Sequence, residues 1–258
     1  METEANMDHI VLDLEFNQSF DFKKRAQGKT IKECPFEIIQ IGAVKLNSKL
    51  EITERFSFLI KPQIYKKIHP IVERITGISN DTIKDRPCFE DGFDEFCKFM
   101  GSTDCILYTW GIDDIRSLFR NILYFKCDFD KITNKYINIQ PTAAKLLCAT
   151  TGGTIGLKTA AEQFDIKCDL KFHDALNDAY YTALIMKKIF EVLPEPSVFV
   201  KSDIAPKIKE HIKIDSKGLI AFFEKSLERK LTSEEIAIIL TSYKFGRNRK
   251  YDKVSAKK

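Results

Sequence analysis

"HIVLDLEFN", residues 9–17, decides how this chain is read. Ile10, Leu12 and Leu14 alternate with Val11, Asp13 and Glu15, and the two-residue period of a strand puts both carboxylates on one face. No Lys or Arg in the segment neutralises them. An unpaired carboxylate removed from water raises its pKa and goes neutral unless an opposite charge arrives. A hard divalent cation such as Mg²⁺ is one such partner, because it prefers oxygen ligands. A D-x-E at a water-facing strand end would need no partner, so the pair requires company from elsewhere in the chain.

Two later stretches supply it. "TWGIDDIRSLFRN" (109–121) reads as a strand end followed by a helix whose apolar stripe is Ile115, Leu118, Phe119 and Ile122. At about 100° per residue, Asp113 points away from that stripe and Asp114 lies at its edge. Asp113 therefore suits a cap or a solvated position, and Asp114 is the better candidate to face a site. "FHDALNDAYYTALIMKKI" (172–189) opens a helix with His173, Asp174 and Asp178, and carries Ala175, Ala179 and Ala183 at four-residue spacing. Those small residues permit close packing on a sheet. Asp174 reads as an N-cap. His173 and Asp178 border one site if His173 precedes the first turn; taken alone, His173 reads as a surface or capping residue.

Hydrophobic periodicity gives strands at 9–16, 36–47, 52–61, 105–110 and 136–140. It gives helices at 89–100, 113–124, 142–150, 156–165 and 174–192, and two more at 217–230 and 232–243. "IVERITGISNDTI" (71–83) reads as a short helix, a glycine stop and a capped restart. Three early strands followed by alternating helices and strands indicate an α/β layered domain. Short early connections suit antiparallel hairpins, and helical crossovers suit later parallel pairing. Pro194 and Pro196 punctuate the chain, so the expected division is 8–193 for the α/β domain and 194–258 for a small, basic helical extension.

The order D-x-E, then Asp, then H-x-x-x-x-D resembles the DEDDh family of 3′-to-5′ exonucleases, which includes RNase T and the proofreading subunit of bacterial replicative polymerases. The resemblance covers about 9–190 and extends to "FEIIQIGAV" (36–44), "ITGIS" (75–79) and "LKTAAEQFDI" (157–166). "DLEFNQ" followed by a basic insertion, together with "TWGIDD", looks most like the branch containing eukaryotic RNA exonucleases and the sporulation inhibitor KapD. The resemblance implies a ribonuclease H-like fold, a mixed five-stranded sheet flanked by helices. It assigns Asp13, Glu15, Asp114 and Asp178 to two Mg²⁺ or Mn²⁺ ions, and His173 to general-base duty. It also places the terminal nucleotide near Phe16 and Thr76, although Phe16 equally suits a core and Gly77 a simple turn.

Composition bounds the rest. The 258 residues, 44% apolar and 30% charged with 20 Phe, suit a globular protein with an ample core. No apolar run is long enough for a membrane span, and the acidic N-terminus lacks the regions of a secretory signal. Seven scattered cysteines without a CxxC pair argue for reduced thiols and a cytoplasmic location. The net charge of +4 is uneven, with 15 Lys and Arg against 8 Asp and Glu from Lys201 onward. That tail and the cluster KKRAQGKTIK (23–32) can attract a phosphate backbone or can be solvated loops. The resemblance, not the composition, implies single-stranded nucleic acid as the substrate, RNA in preference to DNA. The competing readings are a DNA exonuclease in repair or proofreading and a non-catalytic regulator on the same fold.

Overall fold

The structure, a computed structural model, describes residues 8–19, 31–147, 154–204 and 215–247. Most of the 23–32 cluster and residues 248–258 of the basic tail lie outside them. The chain divides into two units, 1–205 and 206–258.

In the first unit, β1 (Asp8–Gln18), β2 (Phe36–Leu46) and β3 (Ile52–Leu59) come first. Three helices follow, α1 (Pro70–Thr76), α2 (Asn80–Ile83) and α3 (Phe89–Met100). Next are β4 (Cys105–Thr109), α4 (Ile112–Tyr124), β5 (Lys135–Asn138), α5 (Gln140–Leu146), α6 (Leu157–Gln163) and α7 (Ala175–Ile189). A two-residue β6 (Ser197–Val198) closes the order. The sheet runs β3-β2-β1-β4-β5-β6. β1 pairs with β2 antiparallel and with β4 parallel, β4 pairs with β5 parallel, and β3 and β6 are antiparallel edges. The expected mixed sheet of five strands is present, and β6 adds a sixth. Two residues carry too short a pattern to be seen in sequence.

The period of two in β1 sorts its side chains between two cores. Ile10, Leu12 and Leu14 join Phe89, Phe93, Phe96 and Phe119 under α3 and α4. Val11 joins Ala179, Ala183 and Met186 under α7, so Asp13 and Glu15 project toward the α7 face. Ala175, Ala179 and Ala183 are fully buried, as four-residue spacing on one helix face requires. Gly42, opposite Asp13 in the β1–β2 register, allows the closest approach: a Cβ there would lie 2.0 Å from the carbonyl carbon of Ala175. Any larger residue would lift the start of α7 off the sheet beside the first carboxylate.

The "ITGIS" segment folds as its letters suggest. α1 ends at Gly77 in the left-handed region (φ 82°), and Ser79 opens α2 with a capping box. Two buried polar side chains anchor the preceding loop. Glu37 accepts hydrogen bonds from the amides of Gln63, Ile64 and Tyr65. Asn17, its partner across the ladder, donates to the carbonyls of Tyr65 and Lys67 and accepts from the amide of His69. The loop is thereby fixed at the outer end of β1.

The prolines at 194 and 196 do not end this unit. Beyond them β6 pairs with β5, and the buried Phe199 stacks on Phe119 at 4.0 Å. The second unit contains α8 (Ser216–Leu227) and α9 (Ser233–Arg247), and Arg229 of the loop between them pairs with Glu235 in the first turn of α9 at 2.6 Å. No helix among the described residues is long and apolar enough to cross a membrane, and the six described cysteines are free thiols.

Candidate active site

The acidic site sits at the carboxyl ends of the two parallel strands β1 and β4, where ligands of open α/β sheets collect. The β1–β4 ladder stops at Val11 and Tyr108, so Asp13 and Glu15 lie on a part of β1 that has outrun its neighbour. A register shift follows Glu15, where Phe16 pairs with Ile38 rather than the next residue of β2. Such bulges re-aim side chains, and they recur beside active sites. The chain leaving β4 turns at Gly111 (φ 147°) and enters α4, which puts Asp114 in the first helical turn. Asp113 is exposed and pairs with Arg116, whereas Asp114 is half-buried, as the helix-face reading expects.

α7 brings the third group. Asp174 caps it by accepting from the amide of Asn177 at 3.2 Å. Gln40, buried and opposite Glu15 in the ladder, donates to the Asp174 carboxylate and accepts from the amide of Ala175. The strand pair that presents Glu15 thus also holds the start of the helix bearing Asp178. His173, just outside the helix, has a left-handed backbone (φ 62°), which histidine tolerates better than most residues. Its amide donates to Asp178 Oδ2 at 3.0 Å, while its ring is exposed.

Donor atoms of Glu15, His173 and Asp178 lie within 4.8 Å of one another. Asp178 is 8% exposed, and its Oδ1 is buried without a hydrogen-bond partner. An ionised carboxylate oxygen left so is costly unless a cation meets it. Burial, then the charges of Asp114, Asp178 and Glu15, push the Asp13 carboxyl well above its ordinary range. Burial and the Asp178 and Asp114 carboxylates carry Glu15 up to about 8. Burial likewise lifts Asp114 to about 7, with Asp113 and Asp178 adding to it and the amide of Leu14 opposing. Asp178 reaches about 6, burial again leading and the His173 amide opposing. This donor set, all oxygen with one imidazole beside it, fits a divalent cation.

Those elevated values fix how stability responds to pH. Each carboxyl holds its proton more tightly folded than unfolded, so the folded state binds more protons and stability falls as pH rises from the ordinary carboxylate range to about 8. In chelator the protein is expected to melt lower at pH 8 than at pH 5.5. Mg²⁺ or Mn²⁺ should raise Tm at pH 8 by about 5 °C or more and hardly at all at pH 5.5. A metal shift independent of pH in differential scanning fluorimetry would contradict this account.

The other expected contacts are placed less simply. Phe16 is half-buried and packs against the first core, tilted against Phe36 at 6.2 Å. The Thr76 hydroxyl donates to the Val72 carbonyl and accepts from the Ile78 amide, so it serves its own helix end. The Thr76 carbonyl accepts from Lys171 Nζ at 2.9 Å. That ammonium, whose field lowers the pKa of Glu15, ties "ITGIS" to the segment carrying His173. Sequence reasoning missed Lys171, Gln40 and Gly42. A glutamine and a glycine inside an otherwise apolar strand were the available signals.

The model of the RNase_T family, described as exonuclease, matches residues 10–186, well over half of the chain. The chain belongs to the RNase_T exonuclease family. As a member of the RNase_T exonucleases, it is a phosphodiester hydrolase. Enzymes of that group generally use divalent metal ions and act on nucleic acid. The chain is similar to the PolC-type DNA polymerase III of Caldanaerobacter subterraneus subsp. tengcongensis. They share 29% identity over 188 residues, 71% of this chain but 12% of that much longer protein. It is also similar to the DNA polymerase III subunit epsilon of Aquifex aeolicus, 28% identical over 186 residues, covering 71% of this chain and 81% of the relative. Among solved structures, the nuclease domain of 3′hExo bound to rAMP, itself a DEDDh family member, shares the fold. The TM-score is 0.61 at 20% identity, over 74% of this chain and 98% of that one. Cell-death related nuclease 4 shares it at TM-score 0.60 and 15% identity, over 75% of this chain and 67% of that one.

Proposed function

We propose that this exonuclease removes nucleotides from the 3′ end of single-stranded nucleic acid, RNA in preference to DNA. In this reading Asp13, Glu15, Asp114 and Asp178 hold two divalent ions, Mg²⁺ or Mn²⁺, and His173 is the general base. The observation that carries it is the convergence of Glu15, His173 and Asp178 within one ion's reach, around a buried carboxylate oxygen that lacks a partner. When bound, the ions would neutralise charge growing on the phosphorus oxygens and the leaving alkoxide.

The chain's own residues do the rest. Asp13 shares a face of β1 with Glu15 and feels the charges of Asp114 and Asp178, and it would hold the cations together with them. His173, exposed on a non-helical backbone, can swing its ring toward an attacking water and take its proton. The hydrogen bond that its backbone N–H donates to Asp178 ties the base's backbone to that ligand. In this reading the terminal nucleotide rests near Phe16 and Thr76, as the family resemblance implies.

The RNA preference rests on the resemblance to the branch of RNA exonucleases and on the fold shared with 3′hExo, solved with rAMP, and with a 3′-exonuclease that recognises a histone mRNA stem-loop. The DNA reading is supported by the sequence relatives, which are DNA polymerase III proteins. The test uses 5′-labelled RNA and DNA of one sequence, with Mg²⁺ or Mn²⁺, with and without chelator. A ladder shortening from the 3′ end, lost in chelator and formed about tenfold faster on RNA, is the expected result. Faster shortening of DNA would transfer the proposal to the DNA reading. Binding without shortening of either would leave only a regulator.

A further inference from the structure

A second concavity, of about 660 Å³, lies in the same unit, away from the carboxylates. Its walls come from β3, the segment between α6 and α7, and the outer face of α7. Its apolar lining includes Ile166, Leu170 and Leu184. Four cations, Arg55, Lys167, Lys187 and Lys188, stand around it against two acids, Asp165 and Asp169. Lys167 is paired with Asp169 at 2.6 Å, which leaves Arg55, Lys187 and Lys188 as the cations that set the groove's charge. Arg55 lies over the ring of Tyr180, 4.5 Å from its centroid, so a guanidinium and an aromatic face are presented together.

The groove is mechanically continuous with the active site. The Tyr181 hydroxyl accepts from the Leu170 amide at 2.7 Å and donates to the Leu170 carbonyl at 3.1 Å. Phe172 stacks on Tyr181 at 4.7 Å. The strip 169–173 therefore faces the groove with Asp169 and Leu170 and the carboxylate site with Lys171 and His173. α7 also serves both, with Asp178 at one end and Lys187 and Lys188 about 15 Å further along.

We propose that this groove holds the body of the single-stranded substrate, the nucleotides upstream of the one being removed. Apolar and aromatic surface takes bases without regard to sequence, and cations at the rim take phosphates. The pairing of Arg55 with Tyr180 offers both within one nucleotide's reach. The proposal rests on a nucleic-acid substrate but not on which sugar it carries.

The test separates groove binding from hydrolysis. One arm compares the native protein with an Arg55→Ala/Lys187→Ala/Lys188→Ala variant on a single-stranded 20-mer and on p-nitrophenyl thymidine 5′-phosphate, too small to reach the groove. The fall in kcat/KM on the 20-mer is expected to exceed that on the ester at least tenfold. The other arm measures fluorescence anisotropy of the same 20-mer with both proteins in chelator. The slope of log affinity against log salt is expected to become shallower by about 2, three contacts at about 0.7 each for single strands. An exposed control away from the groove, Lys98→Ala, should match the native protein throughout. An unchanged salt slope, or equal losses on both substrates, would overturn the groove assignment while leaving the nuclease reading intact. A shallower slope in the variant, with a native protein that cleaves neither substrate, would leave the groove standing and remove the nuclease reading.

Discussion

Asp13→Asn is expected to lower turnover on a single-stranded oligonucleotide by about 10³-fold or more, because a metal clamp contributes several kcal/mol to the transition state. The expectation follows from where the residue stands. Asp13 is the carboxyl on which the charges of Asp114, Asp178, Glu15 and Asp174 all converge. Amide for carboxylate keeps the shape and removes the charge, so the variant has a second signature that misfolding cannot imitate. Without metal, the neighbours lose a repelling charge, and the variant should melt above the native protein at pH 8. With metal, the rise in Tm seen for the native protein should be largely gone. Turnover within tenfold of native, or an undiminished metal shift, would remove Asp13 from the ion site.

Much of this site was legible because its parts obey simple periods. A strand alternates, so Asp13 and Glu15 had to share a face. A helix turns by 100°, so Asp114 and not Asp113 had to meet the sheet, and Asp113 is indeed the solvated member of the pair. The alanines of α7 announced a close approach that Gly42 completes from the other side. What stayed hidden depends on contacts between residues remote in sequence. Gln40 reaches Asp174 and Ala175 across the fold, and Lys171 reaches the Thr76 carbonyl. No period encodes such pairs. The edge strand β6 escaped for another reason: Pro194 and Pro196 signal a break, whereas Phe199 returns to the core immediately after them. The groove beside α7 was hidden likewise, since Arg55 and Tyr180 meet only once β3 and α7 are packed.

His173 is the residue for which geometry leaves two roles in contention, and one pair of variants separates them. Its ring lies within ligand distance of Glu15 and Asp178, so it could hold an ion as well as move a proton. As general base, its loss should cost turnover about 10²- to 10⁴-fold. Metal-induced stabilisation and oligonucleotide affinity should stay near native. As a ligand, its loss should first weaken the metal. Ala is an imperfect probe alone, because position 173 has a left-handed backbone (φ 62°) and its amide must still reach Asp178. His173→Asn tolerates that backbone better and offers no imidazole base near neutral pH. Both variants are expected to lose turnover with an unchanged metal shift in Tm. A metal midpoint raised tenfold or more in His173→Asn would make the histidine a ligand. Native turnover in either variant would mean that the water surrenders its proton elsewhere.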